Sequence, residues 1–162
     1  MAMTEELSRC DERIEALRRC DRHVEAEAAF TPGDDYRRIV GLVLAAAEAL
    51  DPPISESRLE DLRLAVTEAC SNAVKVHRPD ALAEPVVVTC RIDDERVRVD
   101  VADRGPGFDP TELEPLPDPE DPRRLRYEHG LGVQLICEIA DEVHFRPSPD
   151  ASGTVVSIAL RR

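Results

Sequence analysis

Apolar residues along the chain follow two rhythms, and the order in which these alternate predicts the architecture. Tyr36, Ile39, Val40, Val43, Ala47 and Leu50 recur at the spacing of one helical face, and Asp51-Pro52-Pro53 ends the run. The preceding turn, Thr31-Pro32-Gly33-Asp34, offers Asp34 as the cap of this helix. A second helix start is read from Ser57-Arg58-Leu59-Glu60, a capping-box pattern in which serine and glutamate each satisfy a free backbone N–H of the other. Leu59, Leu62, Val66, Ala69 and Ala73 then form its buried stripe. The other rhythm is β-rich. Val24 to Phe30 predicts a first strand, and Val86 to Ile92 and Val97 to Val101 flank Asp93-Asp94-Glu95-Arg96 as an antiparallel hairpin. Val133 to Ala140 is apolar nearly all round and predicts a buried helix, followed by closing strands at Val143 to Phe145 and Thr154 to Leu160.

Two stretches carry neither rhythm. Residues 1–23 are charge-rich, with Leu7, Ile14 and Leu17 only loosely at helical spacing, which predicts a tail or frayed helix ahead of a domain over residues 24–162. Residues 109–122 hold five prolines and six acids without periodicity, and a loop of that length in a compact domain is usually functional. The element order places the helices on one face of a mostly antiparallel, mixed sheet. The predicted fold class is therefore a two-layer α/β sandwich.

Composition narrows the function. Asp and Glu total 34 against 21 Lys and Arg, a formal charge of −13 that repels nucleic-acid phosphates and acidic lipid surfaces. Neither nucleic acid nor a membrane is expected as a direct partner. The longest apolar run, Ile39 to Leu50, is interrupted by Glu48 and falls short of the ~20 residues that span a bilayer, and no signal peptide is expected ahead of it. Five cysteines, Cys10, Cys20, Cys70, Cys90 and Cys137, form no C-x-x-C pair and suit reduced thiols in the cytoplasm. Three phenylalanines and no tryptophan weigh against a base-stacking platform.

Three motifs remain that carry chemistry. Glu68 and Asn72 are four apart on the second helix, about 40° apart around its axis, so they can share one ligand. A carboxylate there can take a proton from a hydroxyl, and an amide oxygen can serve a Mg²⁺ that keeps phosphates and waters as its other ligands. Alone, such a pair is an ordinary solvated helix face. Asp103-Arg104-Gly105-Pro106-Gly107 follows a strand; an Asp fixed there, beside glycines that allow close approach, can accept a hydrogen bond from an adenine amino group. Gly130-Leu131-Gly132 opens the buried helix, whose free amides suit phosphate oxygens. In one order, the three motifs supply base and metal, purine, and phosphates.

On these motifs the chain resembles the GHKL ATPases of gyrase, histidine-kinase and MutL type, with their Bergerat fold, and within them the bacterial anti-sigma factor serine kinases of the RsbW type. The matching text is LRLAVTEACSNAV, VADRGPGFDP, HGLGVQLICEIADEV and SGTVVSIAL, spread from about Val24 to Leu160. The resemblance implies a general base in Glu68, a Mg²⁺ ligand in Asn72, an adenine contact in Asp103 and a helper beside it in Thr154. It also implies that Gly105, Gly107, Gly130 and Gly132 line ATP under a lid of residues 108–129. Family members usually carry a histidine four residues after the Asn, where this chain has Val76, with His77 next to it. Arg123, Arg124 and Arg126 are the lid's cations, one of them a candidate γ-phosphate contact, and His129 stands beside Gly130.

The resemblance implies an ATP- and Mg²⁺-dependent serine/threonine-protein kinase acting in transcription regulation. It would sequester a sigma factor, phosphorylate a small anti-anti-sigma protein and form a homodimer in the cytoplasm. Two other readings stay open: a nucleotide-gated binding module without kinase activity, and the ATPase part of a two-component system.

Overall fold

The computed structural model describes residues 14–20, 23–107, 109, 111, 120, 131–149 and 152–162. The β-rich runs pair into one six-stranded sheet made of β1 (Ile14–Cys20), β2 (His23–Phe30), β3 (Val86–Ile92), β4 (Arg96–Ala102), β5 (Glu142–Pro147) and β6 (Thr154–Arg161). Their order in space is β1-β2-β3-β4-β6-β5, antiparallel at every pairing. Alternation decides the two faces. Val88, Cys90 and Ile92 on β3, Val97, Val99 and Val101 on β4, and Ile158 and Leu160 on β6 turn inward and are buried. Each such side chain contributes about 1.5–3 kcal/mol by leaving water. Outward positions carry charge instead: Arg91 pairs with Glu25 of the neighbouring strand at 2.9 Å and with Asp100 at 3.0 Å. These pairs follow from the register, which sets Glu25 opposite Arg91 and Arg91 opposite Arg98.

Three helices cover the inward face: α1 (Arg37–Glu48), α2 (Glu56–Val76) and α3 (Leu131–Ile139). From α1, Ile39, Val40, Val43, Leu44 and Ala47 enter the core; from α2, Leu62, Ala65, Val66, Ala69, Cys70 and Ala73 do. The two-layer α/β sandwich with helices on one face is thus the observed fold.

Several local expectations are corrected. Of the first 23 residues, expected to form a tail or a frayed helix, Ile14–Cys20 is a strand paired with β2. Helix α2 starts two residues earlier than the predicted capping box. Its cap is Ser55, whose hydroxyl accepts from the Arg58 N–H at 3.4 Å, and Ser57 lies inside the helix. Asp34 does not cap α1. It closes its own turn by accepting from the Thr31 N–H at 2.7 Å and hydroxyl at 2.8 Å, while α1 begins at Arg37 with Tyr36 at its N-cap making no side-chain cap bond. Helix α3, expected to be buried all round, buries only Ile136 fully and leaves Leu131, Cys137 and Glu138 exposed. Its apolar composition therefore exceeds what the core uses.

Helices α2 and α3 run antiparallel. Arg58 in the first turn of α2 pairs with Asp141, just past α3, and its guanidinium also reaches the Ile139 carbonyl oxygen at 3.5 Å. Asp141 in turn accepts from the Arg161 N–H at 2.8 Å, so this corner ties two helices to β6.

Candidate nucleotide site

The site grows from the middle of α2. Glu68 and Asn72 stand one turn apart and half-buried, while their neighbours Ala69, Cys70 and Ala73 face the core. Gly132, in the first turn of α3, lies directly on both. A Cβ there would stand 2.5 Å from Glu68 Oε2 and 3.2 Å from Asn72 Nδ2, so no larger residue fits without moving them. Antiparallel packing of α2 on α3 therefore brings the first and third sequence motifs together.

Asp103 sits just past the end of β4 and is only 6% exposed. Its Oδ1 accepts from the Gly105 N–H at 2.8 Å and the Thr154 N–H at 3.1 Å, and its own N–H donates to the Thr154 carbonyl at 2.9 Å. Both side-chain bonds use one oxygen. Among the described residues Oδ2 has no hydrogen-bond partner, which leaves it able to accept from a ligand. Thr154, 2% exposed, helps through its backbone as the first residue of β6.

Two glycines press on this carboxylate. Gly153 has φ of +129°, and a Cβ there would run into the Asp103 carbonyl group and come 3.1 Å from Oδ1. Gly105 meets the end of α2: a Cβ on it would stand 2.8 Å from the Val76 carbonyl oxygen. One helix thus carries Glu68 and Asn72 and ends, a turn later, against the loop that holds Asp103. Gly107, with φ of +97°, continues that loop.

Gly153 lies within the SGTVVSIAL motif, and its contact with Asp103 emerges only in the fold. The signal available was a glycine immediately before a strand whose first residue was already singled out. Gly130, Arg123, Arg124, Arg126 and His129 lie outside the described residues, as does nearly all of the lid expected over 108–129. Val76, four residues after Asn72, is 44% exposed, and the neighbouring His77 is buried.

Cysteine chemistry is excluded at the site. Burial pushes the Cys70 thiol up to about 12, so it stays protonated and unreactive near neutral pH. Burial likewise pushes Cys90 up to about 12. Cys137 is raised by partial burial and by Glu138.

For a metal, the donor set is sparse. Among the described residues no three His, Cys, Asp or Glu side chains gather as ligands. A single amide oxygen from Asn72 fits Mg²⁺, which binds through one or two protein oxygens and takes phosphates and waters for the rest, better than it fits a cation that needs a protein cage.

Comparison with known proteins gives the chain a family. The family described as histidine kinase-like ATPase domain matches residues 33–160. Serine-protein kinase RsbW of Bacillus licheniformis is 35% identical over 129 residues, covering 76% of this chain and 77% of that protein. Anti-sigma F factor of Pasteuria penetrans is 32% identical over 134 residues, covering 80% and 85%. Serine-protein kinase RsbW of Staphylococcus epidermidis is 36% identical over 90 residues, covering 52% and 56%. The match takes in α1 through β6 with every described site residue inside it, and the chain belongs to the histidine kinase-like ATPase domain family.

Proposed function

We propose that this chain is an ATP- and Mg²⁺-dependent protein serine kinase that also acts as an anti-sigma factor. It would sequester a sigma factor and phosphorylate a small anti-anti-sigma protein. The observation that carries this reading is the course of α2, which joins a carboxylate and an amide under Gly132 to a buried carboxylate with one oxygen unused. Relatives named serine-protein kinase and anti-sigma factor support this reading.

In this reading Asp103 Oδ2 accepts from the adenine amino group, with Thr154 and Gly105 holding the carboxylate in place. Gly107, Gly130 and Gly132 line the nucleotide. Asn72 would hold Mg²⁺, which when bound offsets the charge of the phosphates. Glu68 receives the proton of the attacking serine hydroxyl. A charge of −13 favours partners with basic surfaces and none with nucleic acid. No described helix is long and apolar enough to cross a membrane, and the cytoplasm and a homodimeric form belong to the same proposal.

The test is transfer of label from γ-labelled ATP to a serine of a small antagonist protein, with the sigma factor captured by the same chain. One observation favours a second reading. Val76 stands exposed where resembling kinases carry a histidine, which suits a module that binds ATP to gate its partner without transferring phosphate. ATP binding with no labelled acceptor would select that module.

A further inference from the structure

His77 is 8% exposed and ends α2 as its C-cap, with φ of −61° and ψ of 133°. Its Nε2 lies 2.8 Å from the Ala81 carbonyl oxygen; a carbonyl only accepts, so Nε2 carries the proton and donates. Nδ1 is buried as well and has no hydrogen-bond partner among the described residues. An interior acceptor left unpaired works against stability, so the ring's own hydrogen bonding does not account for its place. What the ring secures is a turn. From His77 the chain enters the 3₁₀ turn Pro79–Ala81, and the Nε2 bond closes it.

That turn is fastened to both segments that surround Asp103. Arg78 pairs with Asp80 and donates to Ser152 Oγ at 3.1 Å, beside Gly153. Arg104, next to Asp103, pairs with Glu84 at 3.5 Å. The residue before His77 supplies the closest contact: the Val76 carbonyl oxygen is the atom a side chain on Gly105 would strike. Where α2 ends therefore fixes where Gly105 sits, and the Gly105 N–H is one of two donors that orient the Asp103 carboxylate.

We propose that His77 is a positioning residue for base recognition. By closing the 77–81 turn it sets Val76 against Gly105 and holds Asp103 Oδ2 where an exocyclic amino group can donate to it. The inference rests on the reading of Asp103 as the purine contact. His77 touches no ligand and acts only through the Val76 and Gly105 backbone.

The test compares the affinities of the full-length chain for ATP and ITP, which differ where the base carries an amino group or a carbonyl oxygen. ITP carries a carbonyl oxygen at that position, so it cannot make the exocyclic donation to Asp103. The parent is expected to prefer ATP by about tenfold or more, the worth of one hydrogen bond to a charged group. His77→Leu should lose most of that preference by weakening ATP alone, raising KM for ATP while kcat at saturation holds. His77→Gln, whose amide nitrogen can reach the same carbonyl, should restore it. Ser152→Ala, at an exposed position, should act in the same direction with a smaller loss, and it decides the matter should His77→Leu not fold. Equal weakening of ATP and ITP, or an ATP preference undiminished in these variants, overturns the positioning role. Equal affinity of the parent for the two nucleotides overturns the reading of Asp103 and the inference with it, so the two failures are distinct.

Discussion

At the Asp103 end of the site the carboxylate is buried and already held by two backbone N–H groups, while at the Glu68 end the acid and amide stand half-buried on one helix, without hydrogen-bond partners among the described residues. The contrast separates two ways of building a site. A group oriented by one backbone donor from a loop and one from a strand is preorganised, and it selects a ligand by shape and by the one acceptor left over. A pair of side chains on a single helix surface takes its final geometry from the ligand. The base end should therefore govern affinity, and the Glu68 end should govern rate.

The largest effect that could break this division comes from Glu68→Gln, which keeps the side chain's size but cannot receive a proton as a carboxylate does. Phosphoryl transfer should fall by about 10²-fold or more, the usual contribution of a general base, while ATP affinity stays within about twofold. Single-turnover assays alongside calorimetric binding measure both. Unchanged transfer removes Glu68 from the chemistry.

Asp103→Ala should give the converse pattern. Saturating ATP at a hundred times Kd stabilises the parent by roughly 2.7 kcal/mol, seen as a rise in Tm, and the variant should lose most of that rise. A full ATP-induced rise in the variant would show that affinity does not reside at the base end.

The same glycine-to-alanine change sharpens the comparison when made at each end. At Gly153 the new Cβ meets the Asp103 backbone and the residue is held at φ of +129°, so nothing nearby can yield. A cost of about 1–3 kcal/mol in folding stability and a parallel loss of ATP affinity are expected. At Gly132 the new Cβ meets Glu68 Oε2, the far end of a flexible side chain. Stability should change less there and transfer more. Denaturant unfolding of both variants, run with kinetics, distinguishes the outcomes.

How much of this was legible in the sequence follows the same physical line. Motifs whose chemistry is local, Glu68 with Asn72 and Asp103 with Gly105, were readable because helical spacing and a strand end fix their geometry within a few residues. Strands β3 and β4 were readable for the same reason, since alternation and a polar turn are local signals. Strand β1 is not: Glu15 and the adjacent Arg18 and Arg19 break any alternation in Ile14–Cys20, and only pairing with β2 makes it a strand. The cap of α2 was misplaced because Ser55 and Ser57 both precede the apolar stripe and only the backbone decides which one accepts from Arg58. The close approach of Gly132 to Glu68 and Asn72 depends on two helices distant in sequence, and no single-segment pattern encodes it. Helix α3 was read as buried from composition alone, whereas only Ile136 reaches the core.

The smallest expected effect concerns the corner that fixes the far end of α3, the helix whose first turn lies on Glu68 and Asn72. The Arg161 N–H and the Arg58 guanidinium hold Asp141 below the usual carboxylate range. A carboxylate whose pKa is lowered on folding contributes stability that is fully present above its unfolded value of 3.8 and is lost as pH falls through the lower folded value. Asp141→Asn should therefore be less stable than the parent at neutral pH, by about 1 kcal/mol or less because the pair is partly solvated, and the difference should close below about pH 4. Added salt should shrink it as well. Since Arg58 and Asp141 sit far from Asp103, hydrogen exchange in the variant should quicken in α3 and leave the Gly105 and Thr154 amides as protected as before. A stability gap that persists at low pH would mean that the carboxylate's shape and not its charge holds this corner. Faster exchange at Gly105 and Thr154 would mean that the two ends of the site do not move independently.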